Sequence, residues 1–285
     1  MTVKIQAPAK INLTLDITGK RADGYHTLST IMQSISLSDI VTISETNSGI
    51  ITIDTSNPLI PTDERNIAYK AAMFFLKNTN VQYNGLHIYI QKNIPVEAGL
   101  GGGSADAAAV LIGLNYIFKT ELSVKQLCEI AATIGADVPF CIIGGTKLCT
   151  GIGEIMTETA PLEQCYIVIA KGNSGISTKS AFKKIDDLGF NVDPDYSKYN
   201  GSVLSVKNIG YNKFEIVADI FDVKIIKNKM LELKADYSAM SGSGSAVFGL
   251  FSNLEYAENC RKYLADNKFF SYLCKPISTG SFIIV

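Results

Sequence analysis

The sequence predicts an α+β protein built as two blocks of mostly antiparallel sheet. Three observations carry this. Segments of period 2 and period 3.6 interleave along the chain without an internal repeat, and the first half is rich in strands with its helices arriving late. At 285 residues and 47% hydrophobic content the chain also has enough length and apolar material for two ordinary domains with their own cores. The division is expected near 160, giving blocks 1–160 and 161–285. A doubly wound parallel sheet fits this order of elements less well.

In chain order, clean apolar alternation predicts strands at 3–7, 11–17, 41–44, 50–53 and 86–90. Helical spacing follows at about 66–77, 105–118 and 124–134, the last opened by a Ser123/Gln126 capping box and closed by Gly135. The second block begins with a strand at 167–170. Helix-like stretches come next, around 178–185 and 213–234, then a strand at 246–251, a helix at 255–266 and a strand at 281–284. The polar segment 186–202, with Gly189, Pro194 and Gly201, is expected to be a loop within that block.

Charge and cysteine usage narrow the function. A formal net charge of −1, with lysine and arginine scattered, argues against a nucleic-acid surface. The six cysteines form no CxxC pair and sit mostly among apolar neighbours, which reads as small core residues in a reducing compartment, without disulfides. With only His26 and His87 as imidazoles, a structural zinc site is not expected, and any metal should be bound by oxygen. The N-terminal residues lack an apolar signal core, and the longest greasy stretch, 107–118, is interrupted by Asn115 and too short to span a bilayer. A soluble, cytoplasmic protein with no membrane partner is expected.

The most informative stretch is Pro95-Val96-Glu97-Ala98-Gly99-Leu100-Gly101-Gly102-Gly103-Ser104, which runs into the alanine-rich segment 105–109. Glycines 99, 101, 102 and 103 carry no Cβ and adopt positive φ readily, so several backbone N–H groups can converge on an anion. Ser104 reads as an N-cap for a helix starting at Ala105, whose dipole and unpaired N–H groups would face the same anion. Neither familiar phosphate signature applies: there is no Walker lysine, and Ser104 stands where a dinucleotide fingerprint needs glycine. A flexible glycine linker ahead of an amphipathic helix is the bland alternative. Glu97 would weaken anion binding if it faced inward, so it must point outward or be paired.

Other candidates are less specific singly. Lys10 and Asn12 alternate against Ile11 and Leu13, placing both on one strand face about 6.6 Å apart. They read either as a solvated face or as groups spanning a hydroxyl and a phosphate. Asp137, in Gly135-Ala136-Asp137-Val138-Pro139, is either an N-cap or a rigidly held general base, with Pro139 suiting the first turn of a short helix. A further glycine cluster, Met240-Ser241-Gly242-Ser243-Gly244-Ser245-Ala246, suggests a second backbone wall of one ligand site. Tyr25 and His26 lie in a loop after the Lys10 strand, to stack on a flat ring or plug the core. His87 reads as a surface residue without function.

Taken together, Pro8-Ala9-Lys10-Ile11-Asn12-Leu13, Arg21-Ala22-Asp23-Gly24-Tyr25-His26-Thr27-Leu28, the glycine run, Gly135-Ala136-Asp137-Val138-Pro139 and the serine-glycine cluster resemble one signature set. It is that of the 4-diphosphocytidyl-2-C-methyl-D-erythritol kinase family, within the superfamily of galactokinase, homoserine kinase, mevalonate kinase and phosphomevalonate kinase (GHMP kinases). The glycine loop points to the superfamily; Asp-Gly-Tyr-His shortly after Pro-Ala-Lys-Ile-Asn points to this member. The resemblance covers nearly the whole chain, with 186–215 poorly matched and 212–215 too degenerate to assign.

The resemblance implies a two-domain kinase with its active site in the interdomain cleft, using ATP and Mg²⁺ to phosphorylate the 2-hydroxyl of the cytidine diphosphate derivative of methylerythritol, toward isoprenoid precursors. ATP is expected on Pro95, Gly99, Leu100, Gly101, Gly102, Gly103 and Ser104, with Asn66 and Lys92 as further nucleotide contacts. Tyr25, His26 and Phe182 are expected at the cytidine end, and Lys10, Asn12, Asp137 and Thr178 around the methylerythritol hydroxyls. Asp137 would be the base and Lys10 the electrostatic stabiliser. Ser104 is the best-placed protein ligand for Mg²⁺. A monomer or weak homodimer is expected. The rivals are a sibling kinase for mevalonate, homoserine or a sugar, and a catalytically silent nucleotide-binding module.

Overall fold

A computed structural model describes residues 1–175, 177–190 and 195–284. The first half contains β1 (Thr2–Lys20), β2 (His26–Glu45), β3 (Ile51–Thr55), α1 (Ile67–Thr79), β4 (Leu86–Gln91), α2 (Gly102–Ile117), α3 (Val124–Ala132), α4 (Val138–Ile143), β5 (Thr146–Thr150) and β6 (Ile155–Glu158). The second contains β7 (Tyr166–Lys171), α5 (Thr178–Leu188), α6 (Val203–Ile209), α7 (Lys213–Val217), α8 (Phe221–Glu232), β8 (Tyr237–Met240), β9 (Val247–Phe251), α9 (Leu254–Asp266), β10 (Phe270–Cys274) and β11 (Phe282–Ile283).

Two sheets result. One runs β11-β1-β2-β4-β3, with β5 on β2 and β6 on β5; the other runs β10-β7-β9-β8. Of the paired strands described, only β3 and β4 run parallel, apart from an isolated bridge between Leu15 and Asn212, so the α+β, mostly antiparallel architecture holds. The last strand crosses back from the second half and pairs with β1 through Ile5 and Gln6.

β1 and β2 form one long hairpin in which the two short strands expected at 3–7 and 11–17 are continuous. Irregularities between Pro8 and Lys10 and between Asn12 and Thr14 re-aim the side chains of this stretch, the use bulges commonly have beside active sites. The half-exposure that alternation in β1 suggests is not realised, because the hairpin is covered on both faces: residues 7–17 of β1 and 29–35 of β2 are buried throughout.

Helix α2 is the central element of the larger core, with Ala105, Ala107, Ala108 and Ala109 each at 0% exposure. Alanines leave no bulk around the axis, so α1, α3 and α4 and the strands β1, β2 and β11 all approach it closely. Its Gly113 lies under Ile5 and Ile43, where a Cβ would come within 2.7 Å of both side chains. A second core fills the other half, formed by Val168, Ala181, Phe214, Ile226, Val247 and Phe251 among others.

The expected helix at 213–234 is two helices, broken at Ala218, whose ψ of 87° leaves the helical region. The expected loop at 186–202 begins later than anticipated, because α5 continues to Leu188; residues 191–194, including Pro194, lie outside the described ones. The six cysteines are free thiols. Burial pushes Cys149, Cys165 and Cys260 up to about 12, so these sulfurs stay protonated and behave as apolar packing. No helix among the described residues is long and apolar enough to cross a membrane.

Candidate active site

The glycine run folds into the turn that launches α2. Gly101, at φ 70°, is the N-cap, and the first intrahelical bond runs from Ala105 N–H to Gly101 O at 2.8 Å. This corrects the reading of Ser104 as N-cap: the helix starts three residues earlier, at Gly102, and Ser104 sits in its first turn. A left-handed glycine ends the loop in place of a side-chain cap. The N–H groups of Gly102, Gly103 and Ser104 thus have no intrahelical acceptor and form the positive end of the helix. Glu97 is exposed.

Two glycines are required by close approach. A Cβ on Gly99, whose φ is 74°, would stand 2.0 Å from the Ser241 carbonyl oxygen, and one on Gly101 would meet Lys10 Cγ at 2.9 Å. The second glycine cluster therefore does pack on the first. Ser241 Oγ donates to Gly99 O at 2.9 Å, and Ala246 N–H donates to Ala98 O at 3.0 Å. The strand joins the same loop, since Lys10 N–H donates to Leu100 O at 3.0 Å.

Lys10 and Asn12 are both buried, and Lys10 Nζ donates to Asn12 Oδ1 at 2.8 Å. Asn12 Nδ2 in turn donates to Thr30 Oγ1 at 2.8 Å, which fixes the amide from behind. Asp137 stands at the N-cap position of α4, but its side chain makes no capping bond. Instead Oδ2 lies 3.4 Å from Lys10 Nζ, with the carboxylate 30% exposed and the lysine side chain 6%. The N-cap reading of Asp137 therefore holds for its backbone position but not for its side chain. The β5–β6 turn leans on it, as a Cβ on Gly153 would lie 3.6 Å from Asp137 Oδ1.

Behind the loop is a buried charge cluster. Lys92 Nζ bonds Asp106 Oδ2 at 2.6 Å and Asp39 Oδ2, while Asp39 Oδ1 accepts from the backbone N–H of Asn93 and Ile94 at 2.6 and 2.8 Å. Burial raises the Asp106 carboxyl well above the usual range, against the pull of Lys92. Burial alone would lower Lys92; the charges of Asp106 and Asp39 outweigh it and raise the ammonium. Lys92 Nζ lies 3.4 Å from where a Cβ on Gly102 would sit, directly under the helix start. Asn66 is likewise engaged: it caps α1 by accepting from Ala68 N–H at 2.9 Å and donates to Pro61 O at 2.8 Å.

At the other end, His26 opens β2 just after the 21–25 turn. Its ring stacks on Phe182 with centroids 4.5 Å apart and planes 15° from parallel, and Nε2 is 2.6 Å from Asp186 Oδ1. Tyr25 beside it is 61% exposed. Thr178, Phe182 and Asp186 recur every fourth residue along α5 and so share one face. Thr178 Oγ1 meets Ser243 Oγ at 2.9 Å, bringing this face to the second glycine cluster. The bonds from His26 and Lys20 hold the Asp186 carboxyl below its ordinary value.

The sequence reading missed Asp39, Asp106, Asp186 and Asn212. The spacing of 178, 182 and 186 was the available signal for Asp186. Asp39 lies in a strand whose two-sided burial erases alternation, so it had none. His87 pairs with Asp54 at 3.0 Å on the partly exposed side of the sheet, away from these residues.

An anion cradle of backbone N–H groups, abutting a carboxylate–ammonium pair and followed by an aromatic patch, suits phosphoryl transfer to a hydroxyl on a ring-bearing substrate. Comparisons agree. Residues 66–145 match the family described as GHMP kinases N terminal domain, and 221–269 match GHMP kinases C terminal. A protein of Clostridium tetani (strain Massachusetts / E88) named 4-diphosphocytidyl-2-C-methyl-D-erythritol kinase is 44% identical over 96% of this chain and 100% of its own. One of the same name from Alkaliphilus metalliredigens (strain QYMF) is 40% identical over 92% of each. A crystal structure of 4-(cytidine 5'-diphospho)-2C-methyl-D-erythritol kinase superposes with a TM-score of 0.77 at 29% identity, covering 96% of this chain and 98% of that one. Homoserine kinase from Cytophaga hutchinsonii shares the fold, with a TM-score of 0.75 at 18% identity over 99% and 97%. The chain belongs to the 4-diphosphocytidyl-2-C-methyl-D-erythritol kinases, a branch of the ATP-using GHMP kinase family.

Proposed function

We propose that this enzyme transfers the γ-phosphoryl group of ATP to the 2-hydroxyl of 4-diphosphocytidyl-2-C-methyl-D-erythritol. The observation that carries the chemistry is the Lys10–Asp137 contact at 3.4 Å beside the glycine loop. Asp137 accepts the proton of the hydroxyl as its oxygen attacks phosphorus, and ADP leaves with the bonding pair of the broken P–O bond. Lys10, held by Asn12, stabilises both the carboxylate and the charge growing on the transferred group. Gly99 to Ser104 receive the phosphates, Pro95 and Leu100 shaping that loop. Asn66 and Lys92 act on the nucleotide from its edge, through the helix cap and the buried charge cluster respectively. Tyr25, His26 and Phe182 hold the cytosine, and Thr178 the methylerythritol side.

Mg²⁺ fits as a companion of ATP. The side chain in the first turn of α2 that offers an oxygen donor is Ser104. That suits an ion held mostly by phosphate oxygens and water, neutralising charge on the transferred group. We assign 1–160 to ATP binding and 161–285 to the second domain, acting in the cytoplasm as a monomer or weak homodimer on a small molecule, with no nucleic acid or membrane involved. The −1 net charge and the free, mostly buried thiols support this.

The test is ADP release from Mg·ATP with the cytidine substrate, mevalonate, homoserine and galactose offered in parallel. Turnover confined to the first is expected. Turnover with another would overturn the cytidine reading, and ATP binding without any turnover would make the chain a silent nucleotide binder.

A further inference from the structure

The short helix α7 and the residues leading into it touch both the second glycine cluster and the aromatic patch. At its N-cap, Asn212 is buried and fully used: Oδ1 accepts from Phe214 N–H at 2.9 Å, while Nδ2 donates to Met240 O at 2.7 Å and Gly242 O at 2.9 Å. Those two carbonyls bracket Ser241, whose own Oγ and carbonyl lie against Gly99. Glu215, one turn on, accepts from Met240 N–H at 2.6 Å and pairs with Lys227 of α8. On the other side, Phe214 meets the Phe182 ring edge-on at 5.0 Å, and Phe182 carries the His26 stack. Just ahead, Tyr211 O accepts from Leu15 N–H at 2.6 Å, tying the segment to the strand that bears Lys10 and Asn12.

We propose that Asn212 and Phe214 are positioning residues, Asn212 for the phosphate wall and Phe214 for the base clamp. Nδ2 is a single group that satisfies two buried carbonyls and so sets the height of the 240–242 turn over Gly99. Replacing it by a carboxylate puts oxygen against oxygen and lifts the turn. Phe214 has no bond to that turn through its ring; it limits how far Phe182 can swing. Because one helix carries both, the base end and the phosphate end share a support while depending on different atoms of it. The Phe214 half rests on the cytidine reading above; the Asn212 half requires only that phosphates bind the loop.

The experiment measures ADP and CDP affinity separately for the full chain, with melting temperature recorded for each variant. Asn212→Asp should weaken ADP by about tenfold or more and leave CDP unchanged. Phe214→Leu should do the reverse. Ser241→Ala, which removes the opposite anchor of the same turn, should weaken ADP alone, and it keeps the question answerable if Asn212→Asp does not fold. Unchanged affinities, or equal losses of both ligands in either variant, would overturn the proposal, since general destabilisation has no preferred end. A wild-type chain that binds ADP but not CDP would overturn the cytidine reading and the Phe214 half with it, leaving Asn212 to be decided by ADP.

Discussion

Asp137 Oδ2 sits 3.4 Å from Lys10 Nζ, and the two differ sharply in exposure, 30% against 6%. The ammonium is thus fixed behind a carboxylate that is open to solvent. Lys10 is confined further by Gly101, which leaves no room for a Cβ beside its Cγ. Asp137→Asn should keep this packing while losing the proton acceptor. Turnover is expected to fall about 10²- to 10⁴-fold with ADP affinity preserved, read from steady-state rates and direct binding. Retained turnover would show that the base is elsewhere.

Gly101→Ala tests the backbone side of the same contact. The substitution forces a Cβ into a left-handed residue, at a cost of about 1–2 kcal/mol, and drives it against the Lys10 side chain. Both ADP affinity and kcat should drop, while Gly24→Ala, where a Cβ meets nothing within 4 Å, should leave the kinetics near wild type despite its positive φ. Equally impaired kinetics in the two variants would mean that strain alone, and not the approach to Lys10, sets the requirement.

These contacts also show which parts of the molecule were readable beforehand. Lys10 and Asn12 were visible because β1 alternates, and the glycine loop because its composition is extreme. Their functional meaning came mostly from family resemblance, since a strand face or a linker explains either one in isolation. Most of β2 was invisible because residues 29–35 are buried on both faces, so polar and apolar positions do not alternate. The Asp39–Lys92–Asp106 cluster is assembled from β2, the end of β4 and α2, and such convergence leaves no local pattern.

The buried cluster makes a prediction of opposite signs for its members. With both carboxylates ionised it carries one excess negative charge, and burial has raised Asp106 above its unfolded value. A raised acid binds its proton more tightly in the folded state. Its contribution is therefore fully present below the unfolded pKa near 3.8 and is lost as pH rises through the folded value. Asp106→Asn removes that loss, so its stability should fall less than wild type between acid and neutral pH, read as urea midpoints across pH. Lys92→Met instead strands two buried carboxylates and should cost about 3–5 kcal/mol near neutrality. A Lys92→Met variant as stable as wild type would show that the lysine is dispensable to the loop's support.

The base end is tested by Tyr25→Ala and Phe182→Ala. His26 and Phe182 already stack at 4.5 Å, so the ring left open for a base is Tyr25, and a pyrimidine entering against Phe182 must part the existing stack. Loss of either aromatic removes stacking of roughly 1–3 kcal/mol, which raises the KM for the cytidine substrate by about 5- to 150-fold and leaves the KM for ATP unchanged. Asp186→Asn is expected to act on the same constant, because Asp186 holds the His26 ring at 2.6 Å and fixes which nitrogen faces the base. The effect should appear at neutral pH and vanish in acid: the partners of Asp186 hold its carboxyl low, so the wild-type contact is present above about 3.8 and lost as pH falls through the depressed value. If Phe182→Ala raised the KM for ATP as much as that for the cytidine substrate, α5 would belong to the nucleotide end of the cleft.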